Sequence, residues 1–97
     1  MNRAKILGQL SRNIDALERR FSVKALSLFG SAARDELSKS SDIDVLVEFA
    51  GGPTFDRYMD LKFFLEGLFG KSVDLVTVDA VNPRMRAHIE RNLINVA

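Results

Sequence analysis

Apolar residues return at steps of three and four through the first twenty-one positions. Ile6, Leu10, Ile14, Leu17 and Phe21 fall on one side of a helical wheel. That spacing predicts a single amphipathic helix, with Arg12, Glu18 and Arg19 on its solvated side. Val23 to Phe29 is a short apolar run leading into Gly30, and it reads as a buried strand. The period then changes to two. Ile43, Val45, Val47 and Phe49 alternate with Asp42, Asp44, Leu46 and Glu48. A strand from Asp42 to Phe49 therefore carries one apolar face and one mixed face.

Between these strands, Gly30 and Ser31 open a helix predicted to run to about Leu37, and Ser38 to Ser41 form a polar turn. Ala50 to Pro53 is a loop. Thr54 is placed to cap the next helix, with Arg57 where a capping box would carry Glu. Phe55, Tyr58, Leu61, Leu65 and Leu68 supply its apolar stripe, and Gly70 its end. Val73 to Val78 is dense in β-branched residues and reads as a third strand. Asn82 and Pro83 start a last helix, with Ile89 and Leu93 facing inward. Strands alternating with helices predict an α/β (α+β) fold, one small mixed sheet with flanking helices. The 97 residues give room for a single domain spanning 1–97.

Composition narrows the function classes. Hydrophobic residues at 46%, with seven Phe, suffice for a core, and charges cancel to a net +1. That balance lacks the basic excess of a nucleic-acid binder, so no stable nucleic-acid binding is expected. The absence of cysteine excludes disulfides, thiolate zinc sites and a Cys nucleophile. Met1 to Leu10 is polar and interrupted by Arg3 and Lys5, unlike a signal peptide, and no run approaches the ~18 apolar residues of a membrane span. These features set the expectation of a cytoplasmic protein without a membrane partner.

The chemistry concentrates in Gly30-Ser31, ten further residues, and Asp42-Ile43-Asp44. Two Asp at alternate strand positions project from one face, with Cβ atoms roughly 6–7 Å apart. Two such carboxylates repel, and a hard divalent cation removes that cost. Asp74 stands between Val73 and Leu75, where Asp is a poor strand former. If its strand neighbours that of Asp44, the three carboxylates can hold two Mg²⁺, the arrangement that clamps attacking and leaving oxygens in phosphoryl transfer. A strand turning through Gly30 into a helix presents free backbone N–H groups to a triphosphate, with the Ser31 hydroxyl as a further donor. Arg34, one turn on, is placed to reach the same anion.

Leu28-Phe29-Gly30-Ser31-Ala32-Ala33-Arg34, Ser41 to Phe49, Lys71 to Thr77 and Val81-Asn82-Pro83-Arg84 together resemble the polymerase-β-type nucleotidyltransferases, and within them the minimal nucleotidyltransferases (MNT). The resemblance covers nearly the whole chain. It implies the polymerase-β-like fold, with Gly30, Ser31 and Arg34 for the nucleoside triphosphate. Asp42 and Asp44 would ligate both Mg²⁺ ions, and Asp74 would ligate one and help deprotonate the acceptor hydroxyl. It further implies AMP transfer from ATP and pairing with a helical HEPN toxin, which some members inactivate by AMPylating a tyrosine. Whether the assembly is a homo- or hetero-oligomer stays open. So do two other readings: neutralisation of the toxin by contact alone, and transfer to a small molecule or RNA. Asp35 departs from the pattern, since members often carry Gly there, and it adds negative charge near the phosphate turn. His88 has no evident partner, Tyr58 reads as packing, and Arg84, Arg86 and Arg91 read as a solvated basic face of the last helix.

Overall fold

The computed structural model describes residues 1–97. The predicted first helix is two helices, α1 (Arg3–Arg12) and α2 (Ile14–Phe21). Asn13 separates them: its Nδ2 donates to the Gln9 carbonyl at 2.7 Å and its N–H to the Leu10 carbonyl at 3.0 Å. A short polar side chain that bonds nearby backbone competes with continuation of the helix. Ile6, Leu10, Leu17 and Phe21 stay buried across the break, while Ile14 is only partly covered.

Strand β1 (Val23–Phe29) matches the expectation, and the short α3 (Gly30–Ala33) follows it directly. β2 (Ile43–Phe49) alternates as predicted, with Ile43, Val45, Val47 and Phe49 all buried. α4 (Phe55–Phe69) is capped by Thr54, whose Oγ1 accepts from the Arg57 N–H at 3.1 Å, and ends at Gly70 with φ +66°. Arg57 replaces the capping-box Glu with another device. Its guanidinium donates to the Ala50 and Gly52 carbonyls at 3.1 and 2.9 Å and ties down the loop before the helix. The buried stripe of α4 is Leu61, Leu65 and Phe69, whereas Phe55 is 78% exposed. Phe55 is the first residue of the helix and lies about 80° from the centre of that stripe.

β3 (Val73–Thr77) leads through a 3₁₀ turn (Val78–Ala80) to α5 (Pro83–Glu90), capped by the Asn82 carboxamide accepting from the Met85 N–H at 2.9 Å. The last helix stops earlier than expected, leaving Leu93 exposed, and Ile94–Asn95 form an additional strand, β4. β4 lies antiparallel on β1, with Val96 N–H donating to the Leu26 carbonyl at 2.8 Å. A buried strand needs partners for its backbone groups on both edges, and the C-terminal residues supply the outer one.

The four strands run in the order β3-β2-β1-β4, with β2 and β3 parallel and the other pairs antiparallel. The sheet is therefore mixed, as expected. α4 provides the crossover that a parallel pair requires. One face of the sheet packs against α1, α2 and α4 in a cluster of 18 buried residues. The other face is covered only by α5, from which Ile89 alone is buried. No helix is long and apolar enough to cross a membrane.

Candidate active site

The register of the sheet assembles the site. Phe29 pairs with Asp44 across β1 and β2, and Asp44 pairs with Asp74 across β2 and β3. Phe29, Asp44 and Asp74 thus form one row across three strands, on the face that α5 partly covers. Asp42 stands two positions before Asp44 at the same end of the sheet. The expected adjacency of the second and third strands is therefore met. Val73 N–H donates to the Glu66 carboxylate at 3.0 Å, which anchors the start of β3 and so the position of Asp74.

Asp44 is half-buried, whereas Asp42 and Asp74 are exposed. Its carboxyl is raised from an ordinary value near 3.8 to about 6. Burial is the largest cause; the charges of Asp74 and Asp42 and a hydrogen bond with Asp74 act in the same direction, and Arg34 opposes them.

Gly30 closes one side of this row. It has φ +64°, and a Cβ built there would collide with the Asp44 carboxylate, meeting its Cγ at 3.0 Å. Only glycine fits, for backbone and for space. The helix that follows is one turn rather than the two predicted to Leu37. Asp35 adopts a left-handed φ of +60°, Glu36 N–H donates to the Ser31 carbonyl at 2.8 Å and Asp35 N–H to the Ala32 carbonyl at 3.3 Å. That pair of bonds is a Schellman ending. A left-handed position of this kind favours glycine, which fits the departure noted at Asp35. The Asp35 carboxylate faces α1, accepting from the Arg3 N–H at 2.9 Å. A single turn has a small dipole, so an anion bound here would rest on the first-turn N–H groups and on Ser31, which is partly exposed. Arg34, near enough to lower Asp44, also meets Glu36 at 3.4 Å.

The turn before Asp42 is organised by its serines. Ser41 Oγ accepts from Ser38 N–H at 3.2 Å, and Lys71 Nζ donates to the Ser38 and Lys39 carbonyls at 3.1 and 3.2 Å. Lys71 fixes the approach to the acids without touching them, a role that sequence spacing does not reveal. Tyr58 is a packing residue as expected, its hydroxyl donating to the Leu75 carbonyl at 2.6 Å. His88 and Arg84, read from the sequence as surface, border a cleft that also contains Asp74. Phe29, noted in the sequence only as part of the Gly-Ser motif, and Met85, not singled out there, line it too. The signal for them is the Phe29–Asp44 register together with the shared face of positions 84, 85, 88 and 89 on one helix.

The donor set consists of carboxylate oxygens, with no thiolate available, and its most buried member carries the strongest penalty for negative charge. Those features fit a hard divalent cation. The three carboxylates are neighbours but do not close on a common point as a ready three-ligand cage.

Comparison with known proteins agrees with this fold. The family described as "Nucleotidyltransferase domain" matches residues 10–96. A Methanocaldococcus jannaschii relative named as a protein adenylyltransferase is 40% identical over 88 residues, 90% of each chain. A solved structure described as a minimal nucleotidyltransferase superposes with a TM-score of 0.81 at 35% identity, covering 97% of this chain and 95% of that one. The fold is also that of a chain in a Shewanella oneidensis complex of an MNT antitoxin with a tri-AMPylated HEPN toxin. There the TM-score is 0.67 at 19% identity, over 94% of this chain and 71% of the other, a likeness that bears on fold alone.

Proposed function

The chain belongs to the nucleotidyltransferase domain family, and from that premise we propose that it transfers AMP from ATP to a tyrosine hydroxyl of a HEPN-type helical toxin, acting as its antitoxin. The observation that carries this reading is the contact of Gly30 with Asp44. The turn at Gly30 and the carboxylate row stand side by side at one end of the sheet, which supports reading the turn's N–H groups as a phosphate cradle. The name of the jannaschii relative supports AMP as the transferred group, and the resemblance of the motifs to minimal nucleotidyltransferases points to a HEPN toxin as acceptor.

In this reading Gly30 and Ser31 bind the triphosphate through N–H and hydroxyl donors, and Arg34 offsets its charge. Asp42, Asp44 and Asp74 would hold two Mg²⁺ ions, and the ions would supply charge neutralisation for the transfer. Asp74, on the far side of Asp44 from Gly30, receives the proton of the acceptor hydroxyl. Binding and orientation carry the catalysis, and the partner contributes part of the orientation.

The test is co-incubation with Mg²⁺, ATP labelled at the α-phosphate and the helical partner. Label in the partner and AMP adducts on a tyrosine by mass spectrometry are expected. Toxin neutralisation without any adduct would favour contact alone, and robust turnover on RNA or a small molecule without a protein partner would replace the proposed acceptor.

A further inference from the structure

The open face of the sheet is divided by Ile89 of α5. On one side lies a smaller cleft of about 130 Å³ over Leu46, Val78 and Leu93. On the other lies a cleft of about 290 Å³ bounded by Phe29, Val76, Met85 and Ile89, with Asp74 and His88 also lining it. Arg84 stands in its wall too, and this guanidinium makes no ion pair, whereas Arg86 on the same helix meets Glu90 at 4.0 Å. The walls are apolar, and a carboxylate of the catalytic row is among the lining groups.

The direction of transfer decides what this cleft receives. Displacement at the α-phosphorus puts the attacking and leaving oxygens roughly in line. The pyrophosphate end belongs with the donors of Gly30 and Ser31, which follow β1. Attack must then come from the opposite side of Asp44, the β3 side, where Asp74 stands. The larger cleft contains Asp74 and neither Gly30, Ser31 nor Asp42. It reaches from Phe29, beside Gly30, across the sheet to Val76, and the one carboxylate that lines it is Asp74, on the acceptor side of the row.

We propose that the cleft between α5 and the sheet receives the aromatic side chain of the acceptor, so that its walls select a phenolic over an aliphatic hydroxyl. This rests on the nucleotidyl-transfer reading above and names the part of the site that chooses the substrate. An aromatic ring seated against Phe29, Met85 and Ile89 gains apolar contact that serine or threonine cannot make. Its hydroxyl comes beside Asp74. The phenol oxygen forms a bond to the α-phosphorus, the α–β bridging bond breaks with departure of pyrophosphate, and the phenolic proton passes to Asp74. Arg84 at the wall favours an acceptor with a carboxylate close to the tyrosine.

The test uses the whole chain labelled with ¹³C at the methionine methyls and ¹⁵N in the backbone, with Mg²⁺ and a non-hydrolysable ATP analogue. N-acetyl-tyrosinamide, N-acetyl-serinamide and adenosine are then added in separate titrations. The tyrosine probe is expected to shift the Met85 methyl and the His88 amide at least fivefold more than the serine probe, with Met59 unmoved. Met85→Trp, on a partly exposed helix face, should reduce AMP transfer to a tyrosine acceptor at least tenfold and leave the ATP-analogue shifts at Gly30 and Ser31 as in the parent. Equal shifts from the serine and tyrosine probes, or no shift from either, would overturn the assignment. So would adenosine moving Met85 more than the tyrosine probe, which would make the cleft a nucleobase site. If Gly30 and Ser31 do not respond to the nucleotide at all, the nucleotidyl-transfer reading falls, and the acceptor assignment with it.

Discussion

The two faces of the sheet obey different rules, although alternate residues of the same strands build both. On the face toward α1, α2 and α4, Ile43, Val45 and Val47 are completely excluded from solvent. On the opposite face Asp44, Leu46 and Glu48 are only half-covered, and α5 contributes a single buried residue. Stability is concentrated on one side and charge is tolerated on the other. A domain of this size has only about 5–15 kcal/mol in total to spend on destabilising features. Keeping the carboxylates on a loosely covered face limits their desolvation, and keeping the apolar residues on the closed face preserves the core that supports them.

Neighbouring positions 43 and 44 offer the sharpest way to break this division. Asp44→Asn should lower transfer by at least about a thousandfold, roughly 4 kcal/mol in barrier, while the melting temperature of the ligand-free protein stays equal or rises. Steady-state assays with thermal melts check both, and a large loss of apo stability would show that the carboxylate also serves the fold. Ile43→Ala, one residue away, should instead cost about 2–5 kcal/mol of unfolding free energy, measured by urea titration. Ser31→Ala removes one phosphate donor and leaves the backbone donors in place. A rate loss on the order of tenfold to a thousandfold is expected, smaller than for Asp44→Asn; equal losses in two folded variants would contradict the separate roles.

A pH series sharpens the same contrast. The folded protein holds the Asp44 proton up to about pH 6, against an ordinary value near 3.8. Between these values the folded chain binds more protons than the unfolded one, so this group lowers stability as pH rises through the window. The melting temperature of Asp44→Asn should exceed that of the parent by a margin that is small near pH 4 and grows to its full size above pH 6. A constant margin would mean that repulsion in the row is not felt. The smallest effect belongs to Asp35→Gly. Relief of the left-handed φ opposes loss of the bond to Arg3 N–H, so stability should stay within about 1 kcal/mol of the parent by chemical denaturation.

Much of this was legible because the relevant signals are local. The alternation from Ile43 to Phe49 defines which face each residue occupies, and the caps at Thr54, Gly70 and Asn82 bound their helices where their chemistry requires. The pairing of Asp44 with Asp74 followed from assuming adjacent strands, which the parallel β2–β3 ladder provides. What escaped depends on less visible competition. Asn13 breaks a helix whose apolar period runs straight through it, because its side-chain bonds leave no trace in periodicity. α3 ends early because Asp35 takes a conformation usually left to glycine. β4 is two residues long, and only the unfilled edge of β1 calls for it. The cleft beside Asp74 draws on β1, β3 and α5 at once, a juxtaposition that no single segment encodes.

The contact between Gly30 and Asp44 also constrains how such a chain can change over generations. A larger residue at position 30 could be accommodated sterically only by shortening the side chain at position 44, and that exchange would discard the carboxylate the site is built around. The reverse order is no easier, because an altered position 44 leaves the left-handed backbone at position 30 still demanding glycine. No sequence of individually tolerated substitutions leads away from this pair while activity is under selection. On the proposed reading, loss of either residue would remove the carboxylate or the turn beside it, and transfer with it.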